Sequence, residues 1–206
     1  MTFRNTISFL LSDQERLEHF ISSMKLGEVA ALPTDTLYGL AVDADSISGV
    51  SAIYQMKCRG ETKPLILFID RIEKLEELGI KPNLEQFEFL KPHWPGPLTA
   101  IFPIRNRLFR GFSSSSIGVR IPSYSPLLSL LSAYPGYFLT TSANISGEPP
   151  IRNPDQIEST FKNRLGWILD GGVLPVSEPS TVVDMNEFPP KVLREGKIKK
   201  TALFPK

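Results

Sequence analysis

Lys57, Arg59 and Lys63 put three cations within seven residues, between a helical pattern and the apolar run Leu65-Ile66-Leu67-Phe68-Ile69. Gly60 breaks the helix and Pro64 restarts an extended chain. A run apolar on both faces suits a strand covered on both sides. Cations held at the edge of a buried sheet are positioned, and positioned cations meet anions. Arg offers a planar fork to phosphate or carboxylate, and Lys a mobile point charge. A solvated helix end, with Lys and Arg at the favourable pole of its dipole, accounts for this stretch alone equally well.

The rest of the chain shifts that balance. Polar groups recur where strands are expected to end: Thr34, Asp35 and Thr36 in one turn, Arg120 among apolar neighbours, Ser142 and Asn144 in another turn, then Ser180 and Arg194. Open α/β sheets bind ligands at the carboxyl ends of their strands. A ligand met by that many cations is polyanionic, and a nucleoside triphosphate is the first expectation. Neither GxxxxGK[ST] nor GxGxxG occurs, so any nucleotide site is of another kind. Turn chemistry by itself also selects Thr, Asp, Ser, Asn and Gly. No Ser/His/Asp or Cys/His arrangement is suggested. His93 lies between Pro92 and Trp94 and reads as structural, and His19 falls off its helix's apolar stripe. Cys58, between two cations, reads as a spacer whose neighbours do the binding.

These groups need a scaffold, and the composition allows one. The chain has 206 residues, 41% hydrophobic and 22% charged, with 18 prolines. Such a chain forms one large or two small domains. A net charge of +1 does not announce a nucleic-acid binder. One cysteine excludes an internal disulfide and makes a reducing cytosol the natural setting, so the expected localisation is cytoplasmic. Two histidines and one cysteine do not easily build a zinc site, and no metal ligands are expected. No run approaches the ~20 apolar residues of a membrane span.

Strand and helix patterns alternate. Strands are expected at residues 6–11, 29–32, 65–69, 98–102, 117–121, 137–141, 167–169, 181–183 and 192–193, and helices from Ser12-Asp13-Gln14-Glu15 to Gly27, over residues 46–56, from Asp70 to Gly79, and over residues 83–91 and 125–133, with another opening at Asn153-Pro154. This is an α/β fold with a twisted, mostly mixed open sheet, flanking helices and a basic concave cleft. The segment RNRLFRGF, residues 105–112, is basic with interleaved aromatics and has the composition of an RNA contact, or of a solvated loop.

Seven blocks carry a resemblance, in order: Pro33-Thr34-Asp35-Thr36-Leu37-Tyr38-Gly39-Leu40; Lys57-Cys58-Arg59 with Lys63-Pro64-Leu65; Trp94-Pro95-Gly96-Pro97-Leu98-Thr99; Gly118-Val119-Arg120-Ile121-Pro122; Ser142-Ala143-Asn144-Ile145-Ser146-Gly147; Ser180-Thr181-Val182-Val183-Asp184; and Leu193-Arg194. Together they resemble the YrdC/TsaC family, the threonylcarbamoyl-AMP synthases of tRNA modification, over residues 7–197. The resemblance implies a single YrdC-like domain over residues 7–200, the short form without an extra C-terminal domain. It implies that L-threonine, bicarbonate or CO2, and ATP give threonylcarbamoyl-adenylate and pyrophosphate. A partner transferase complex would then pass the group to tRNA, making threonylcarbamoyladenosine; a direct tRNA contact by this chain is conceivable, and no membrane is involved.

The same resemblance assigns residues. Lys57 and Arg59 would be catalytic, and with Lys63 would hold the phosphates and developing charge. Thr36 and Arg120 would bind threonine, Arg120 pairing its carboxylate, and Ser142 would sit where threonine and adenylate meet. Asn144, Ser180 and Arg194 would line the nucleotide, with Ser116 and Arg152 also at nucleotide-contacting positions. Magnesium would arrive with the ATP phosphates. Some relatives carry asparagine at the position of Lys63 and histidine at that of Phe68; Phe68 has no hydrogen bond to give. Two competing readings stand beside the synthase: a tRNA- or double-stranded-RNA-binding module, and a divergent paralogue that keeps the fold without this activity.

Overall fold

The computed structural model describes residues 2–58, 64–104, 108–112 and 114–204. Among these residues ten strands form one mixed sheet: β1 (Phe3–Asn5), β2 (Ala30–Leu32), β3 (Gly39–Asp43), β4 (Ile66–Phe68), β5 (Leu98–Pro103), β6 (Ser116–Arg120), β7 (Phe138–Ser142), β8 (Trp167–Leu169), β9 (Thr181–Asp184) and β10 (Lys191–Arg194). Their order is β1-β8-β2-β3-β7-β4-β6-β5-β9-β10. The helices are α1 (Ile7–Ser12), α2 (Gln14–Lys25), α3 (Ile47–Met56), α4 (Lys74–Glu77), α5 (Leu84–Leu90), α6 (Ser125–Ala133), α7 (Pro154–Phe161) and α8 (Lys200–Leu203).

Strand periodicity sorts the side chains between two cores. In β3, Leu40 and Val42 join one cluster and Ala41 the other; in β2, Ala31 joins the first, Ala30 and Leu32 the second. The first face is covered by α3 (Ile53, Met56), α5 (Leu90) and α7 (Ile157, Phe161). The second is covered by α1 (Ile7, Leu10), α2 (Phe20, Met24) and α6 (Leu127, Leu130, Leu131).

Residues 6–11 were expected as a strand, and the structure corrects this. Thr6 caps a helix by accepting the Phe9 N–H at 3.1 Å, and Ile7 and Leu10 are buried with the i, i+3 spacing of a helical face. The strand lies just before, at Phe3–Asn5, parallel to β8. The next helix also starts one residue later than its capping-box pattern implies. Asp13 is the cap, accepting the Arg16 N–H at 3.1 Å. The other expected helices and strands form within a few residues of their patterns. Strand β3 and the short α8 were not anticipated.

Asn83 and Gln86 make a reciprocal capping box at α5, with bonds of 2.8 and 2.9 Å. Asn83→Ala is expected to lower stability by about 1 kcal/mol, read as a shifted urea midpoint at unchanged slope. An unchanged midpoint would mean that tertiary packing alone holds this helix end.

Candidate active site

Where α1, α2 and α6 stop covering the second face, that face becomes the floor of a cavity of about 490 Å³. This is an ordinary volume for a small-ligand site. Alternate residues of five neighbouring strands line it: Thr140 and Ser142 of β7, Ile66 and Phe68 of β4, Ser116, Gly118 and Arg120 of β6, Thr99 and Ile101 of β5, Val182 of β9. The register sets Thr140, Ile66, Gly118 and Ile101 in one cross-strand row. Gly118 keeps the row low. A Cβ there would stand 3.2 Å from Thr99 Cγ2, tighter than most such contacts.

One end of the cavity is built around Arg120, which is 4% exposed. Its Nε donates to Gly96 O at 3.0 Å, Nη1 to Thr36 Oγ1 at 3.0 Å, and Nη2 to Asp35 Oδ1 at 2.7 Å. These bonds use three of the guanidinium's five N–H groups and leave one on each terminal nitrogen among the described residues. Burial lowers the Arg120 pKa; Asp35 opposes that and Arg194 adds to it. The Phe68 ring lies beneath the guanidinium, 5.9 Å from its centre. Gly96 is fixed in turn by donating its N–H to Ile121 O at 2.8 Å, and a Cβ at Gly96 would run into His93 O. Thr34 is spent locally: its hydroxyl donates to Leu37 O at 2.6 Å and accepts the Thr36 and Leu37 N–H groups. Tyr38 donates its hydroxyl to Gly172 O at 2.9 Å and accepts the Gly171 N–H at 2.8 Å. Burial pushes that hydroxyl up to about 12, so it stays neutral and anchors the 171–172 turn to the cavity wall.

A second side is the turn after β7. Ser142 Oγ donates to Asn144 Oδ1 at 2.7 Å, and Asn144 Nδ2 donates to Glu148 O. Behind the turn, buried Lys57 donates Nζ to Ser142 O and, at 2.7 Å each, to Asn144 O and Oδ1. A third side holds Ser180 and Arg194. Ser180 Oγ and Thr99 Oγ1 are hydrogen-bonded at 2.9 Å, and Arg194 Nη2 donates to Ser180 O at 2.9 Å. Burial lowers the Arg194 pKa.

The structure thus gathers Thr36, Ser116, Arg120, Ser142, Asn144, Ser180 and Arg194 around one cavity. Lys57 adjoins the cavity from behind and is not among its lining residues. Arg152 also lies off the lining: its Nη1 donates to Leu174 O at 2.9 Å, tying it to the 171–179 loop. Arg59 and Lys63 lie outside the described residues, as do residues 105–107 of the basic aromatic segment and Ser113, the first of the four serines that follow it. Two aromatics of that segment, Phe109 and Phe112, are buried in the first core and present no open face for a base. Among the described lining residues the charges are Arg120, Arg194 and Glu148. His93 is half-buried with its ring 5.4 Å from Phe89, and burial lowers its pKa.

Sequence reasoning gave no role to Thr99 or Gly96 and read Asp35 as a turn carboxylate facing the ligand, whereas all three fix the groups that face the cavity. Alternation along Leu98-Thr99-Ala100-Ile101 put Thr99 on the face opposite Leu98 and Ala100, the one signal that was present. Among the described residues no helix is long and apolar enough to cross a membrane.

Comparison with known proteins identifies the family. The Sua5/YciO/YrdC family model, described as "Telomere recombination", matches residues 22–196. A threonylcarbamoyl-AMP synthase of Pyrococcus abyssi is 33% identical over 199 residues, covering 92% of this chain and 58% of its own length. A threonylcarbamoyl-AMP synthase of Vibrio campbellii is 28% identical over 186 residues, covering 88% of this chain and 100% of its own length. The crystal structure of P. abyssi Sua5 complexed with L-threonine superposes with a TM-score of 0.78 at 30% identity, over 95% of this chain and 57% of that one. The chain therefore spans a little over half the length of the archaeal relative.

Proposed function

The chain belongs to the Sua5/YciO/YrdC family, and from that premise we propose that it is an L-threonylcarbamoyladenylate synthase, a nucleotidyltransferase. The amine of L-threonine adds to the carbon of CO2, supplied as such or from bicarbonate, and sheds a proton to leave a carbamate. A carbamate oxygen then forms a bond to the α-phosphorus of ATP. The bond to the β-phosphate oxygen breaks, and pyrophosphate leaves with the electron pair. The carbamate is already anionic, so little general-base help is needed. Catalysis is then positioning and charge stabilisation, and oriented binding alone is worth up to ~7–11 kcal/mol. This fits a cavity lined, among the described residues, by Arg, Ser, Thr and Asn without histidine.

The observation that carries the reading is Arg120: a buried guanidinium at a cavity wall that, among the described residues, keeps one N–H on each terminal nitrogen to offer a carboxylate. In this reading Arg120 and Thr36 take the threonine carboxylate end, and Ser142 stands between threonine and adenylate. Asn144, Ser116, Ser180 and Arg194 border the nucleotide, with Arg152 behind the adjoining loop. Arg59 and Lys63 meet the phosphates. Magnesium comes with the triphosphate. Among the described residues no three His, Cys, Asp or Glu side chains are grouped to hold an ion, and Mg²⁺ carried by phosphates needs few protein ligands. The product passes to a threonylcarbamoyl transferase complex acting on tRNA, in the cytosol, and one domain over residues 7–200 performs the synthesis.

Pyrophosphate release from ATP is expected only when L-threonine and bicarbonate are both present. Release that persists without threonine would remove the assignment. So would no release at all from a folded protein supplied with all three.

A further inference from the structure

We propose that Lys57 is a positioning residue: it clamps the Ser142–Asn144 turn that borders the cavity, and does not itself meet the nucleotide phosphates. The proposal deepens the functional reading above, because it concerns how that nucleotide site is held.

Lys57 is 2% exposed, among the largest fully buried side chains of the molecule, and is not among the cavity-lining residues. Its Nζ donates to three oxygens of one turn, 85 and 87 residues away in sequence: Ser142 O, Asn144 O and Asn144 Oδ1. An ammonium has three N–H groups, and these contacts take up all three. The clamp is two-ended. Lys57 closes α3 as its C-cap, and its own carbonyl accepts the Ser146 N–H at 3.0 Å. The end of α3 is thereby stitched to residues 142–146 by main chain and side chain together.

The clamp also sets which way the turn's polar groups point. Asn144 Oδ1 accepts from both Lys57 Nζ and Ser142 Oγ, while Nδ2 donates to Glu148 O. That arrangement fixes the amide orientation, and it commits the Ser142 hydroxyl proton to Asn144, so Ser142 faces the cavity as an acceptor. Swinging Nζ out to a phosphate would strip the charge-assisted donor from three oxygens at once, two of them in fully buried bonds.

The test uses the full chain with Lys57→Met and Lys57→Arg. Arg keeps the charge and a long stem, but its planar fork cannot place donors on three oxygens converging on one point. Hydrogen exchange of the ligand-free proteins is read first. Faster exchange over residues 142–148 in both variants, with β3 and β7 unchanged, is the expected result, and wild-type protection in either variant would overturn the proposal. AMP and ATP affinities are read second, by calorimetry. Both nucleotides are expected to weaken by the same factor, leaving their affinity ratio within about twofold of wild type. If ATP alone weakens in Lys57→Met and Lys57→Arg restores it, Lys57 is a phosphate ligand and the clamp is wrong. Failure of the wild-type protein to bind either nucleotide would instead remove the functional reading, and the exchange result would still decide the clamp.

Discussion

Arg120→Lys is expected to raise the KM for L-threonine by roughly 30-fold to several thousand-fold, with a much smaller change in kcat and none in the KM for ATP. The size follows from what lysine cannot do. Truncating one partner of a buried, hydrogen-bonded charge pair costs about 2–5 kcal/mol, and each 1.4 kcal/mol is about tenfold in affinity. Lysine keeps the charge but not the fork, so it cannot bridge a carboxylate while also reaching Gly96 O, Thr36 Oγ1 and Asp35 Oδ1. The carboxylate takes no part in bond making, so its grip is equal in ground and transition states, and its loss appears in KM. Steady-state pyrophosphate release at varied threonine checks this. A KM within about threefold of wild type would place the carboxylate elsewhere, since ~0.7 kcal/mol is too little for a bidentate ion pair.

That prediction rests on a residue whose importance was readable from the sequence, and the contrast with its neighbours shows where reading stops. Arg120 stands out as a charge inside an apolar strand pattern, and Ser142, Asn144, Ser180 and Arg194 stand at strand ends, where α/β sheets hold ligands. Period-2 alternation then explains why they converge, since residues two apart in β4, β5, β6 and β7 share one face. What the pattern cannot give is which strands are neighbours. The row from Thr140 through Ile66 and Gly118 to Ile101 depends on the order β7-β4-β6-β5, which no local signal encodes.

The same limit hid the partner of Asp35 and the destination of Lys57. Asp35 looks like any turn aspartate until the fold brings Arg120 to it across 85 residues. Lys57 looks like a surface cation at a helix end until the β7 turn closes over it. The misread helix at residues 7–12 has a different cause. Ile-Ser-Phe-Leu-Leu-Ser is too short for periodicity to separate helix from strand, and the Thr6 cap decided it.

Asp35→Ala is expected to cost about 3–5 kcal/mol of stability, a loss of about a fifth or more of what a domain of this kind has. The loss comes mainly from Arg120. Asp35 and Arg120 are 2.7 Å apart with side chains 10% and 5% exposed, and removing the acid leaves a buried cation supported only by Gly96 O and Thr36 Oγ1 among the described residues. Asp35 is not ideally held itself. Its Oδ2 is buried without a hydrogen-bond partner among the described residues, so deleting the acid relieves one unsatisfied atom and pulls the cost toward the lower end of the range. Two further variants separate the terms. Asp35→Asn keeps an acceptor for Nη2 and should cost less than Asp35→Ala. Asp35→Ala with Arg120→Leu removes both charges and should recover part of the loss, because a buried pair replaced together is far cheaper than one broken. Urea unfolding of these three proteins, together with the Arg120→Leu single and wild type, measures the coupling directly. If the double variant is instead less stable by the sum of its singles, the two residues do not act as a pair. Asp35 would then be a turn residue only, and the alignment of the Arg120 fork toward the cavity would have to come from Thr36 and Gly96.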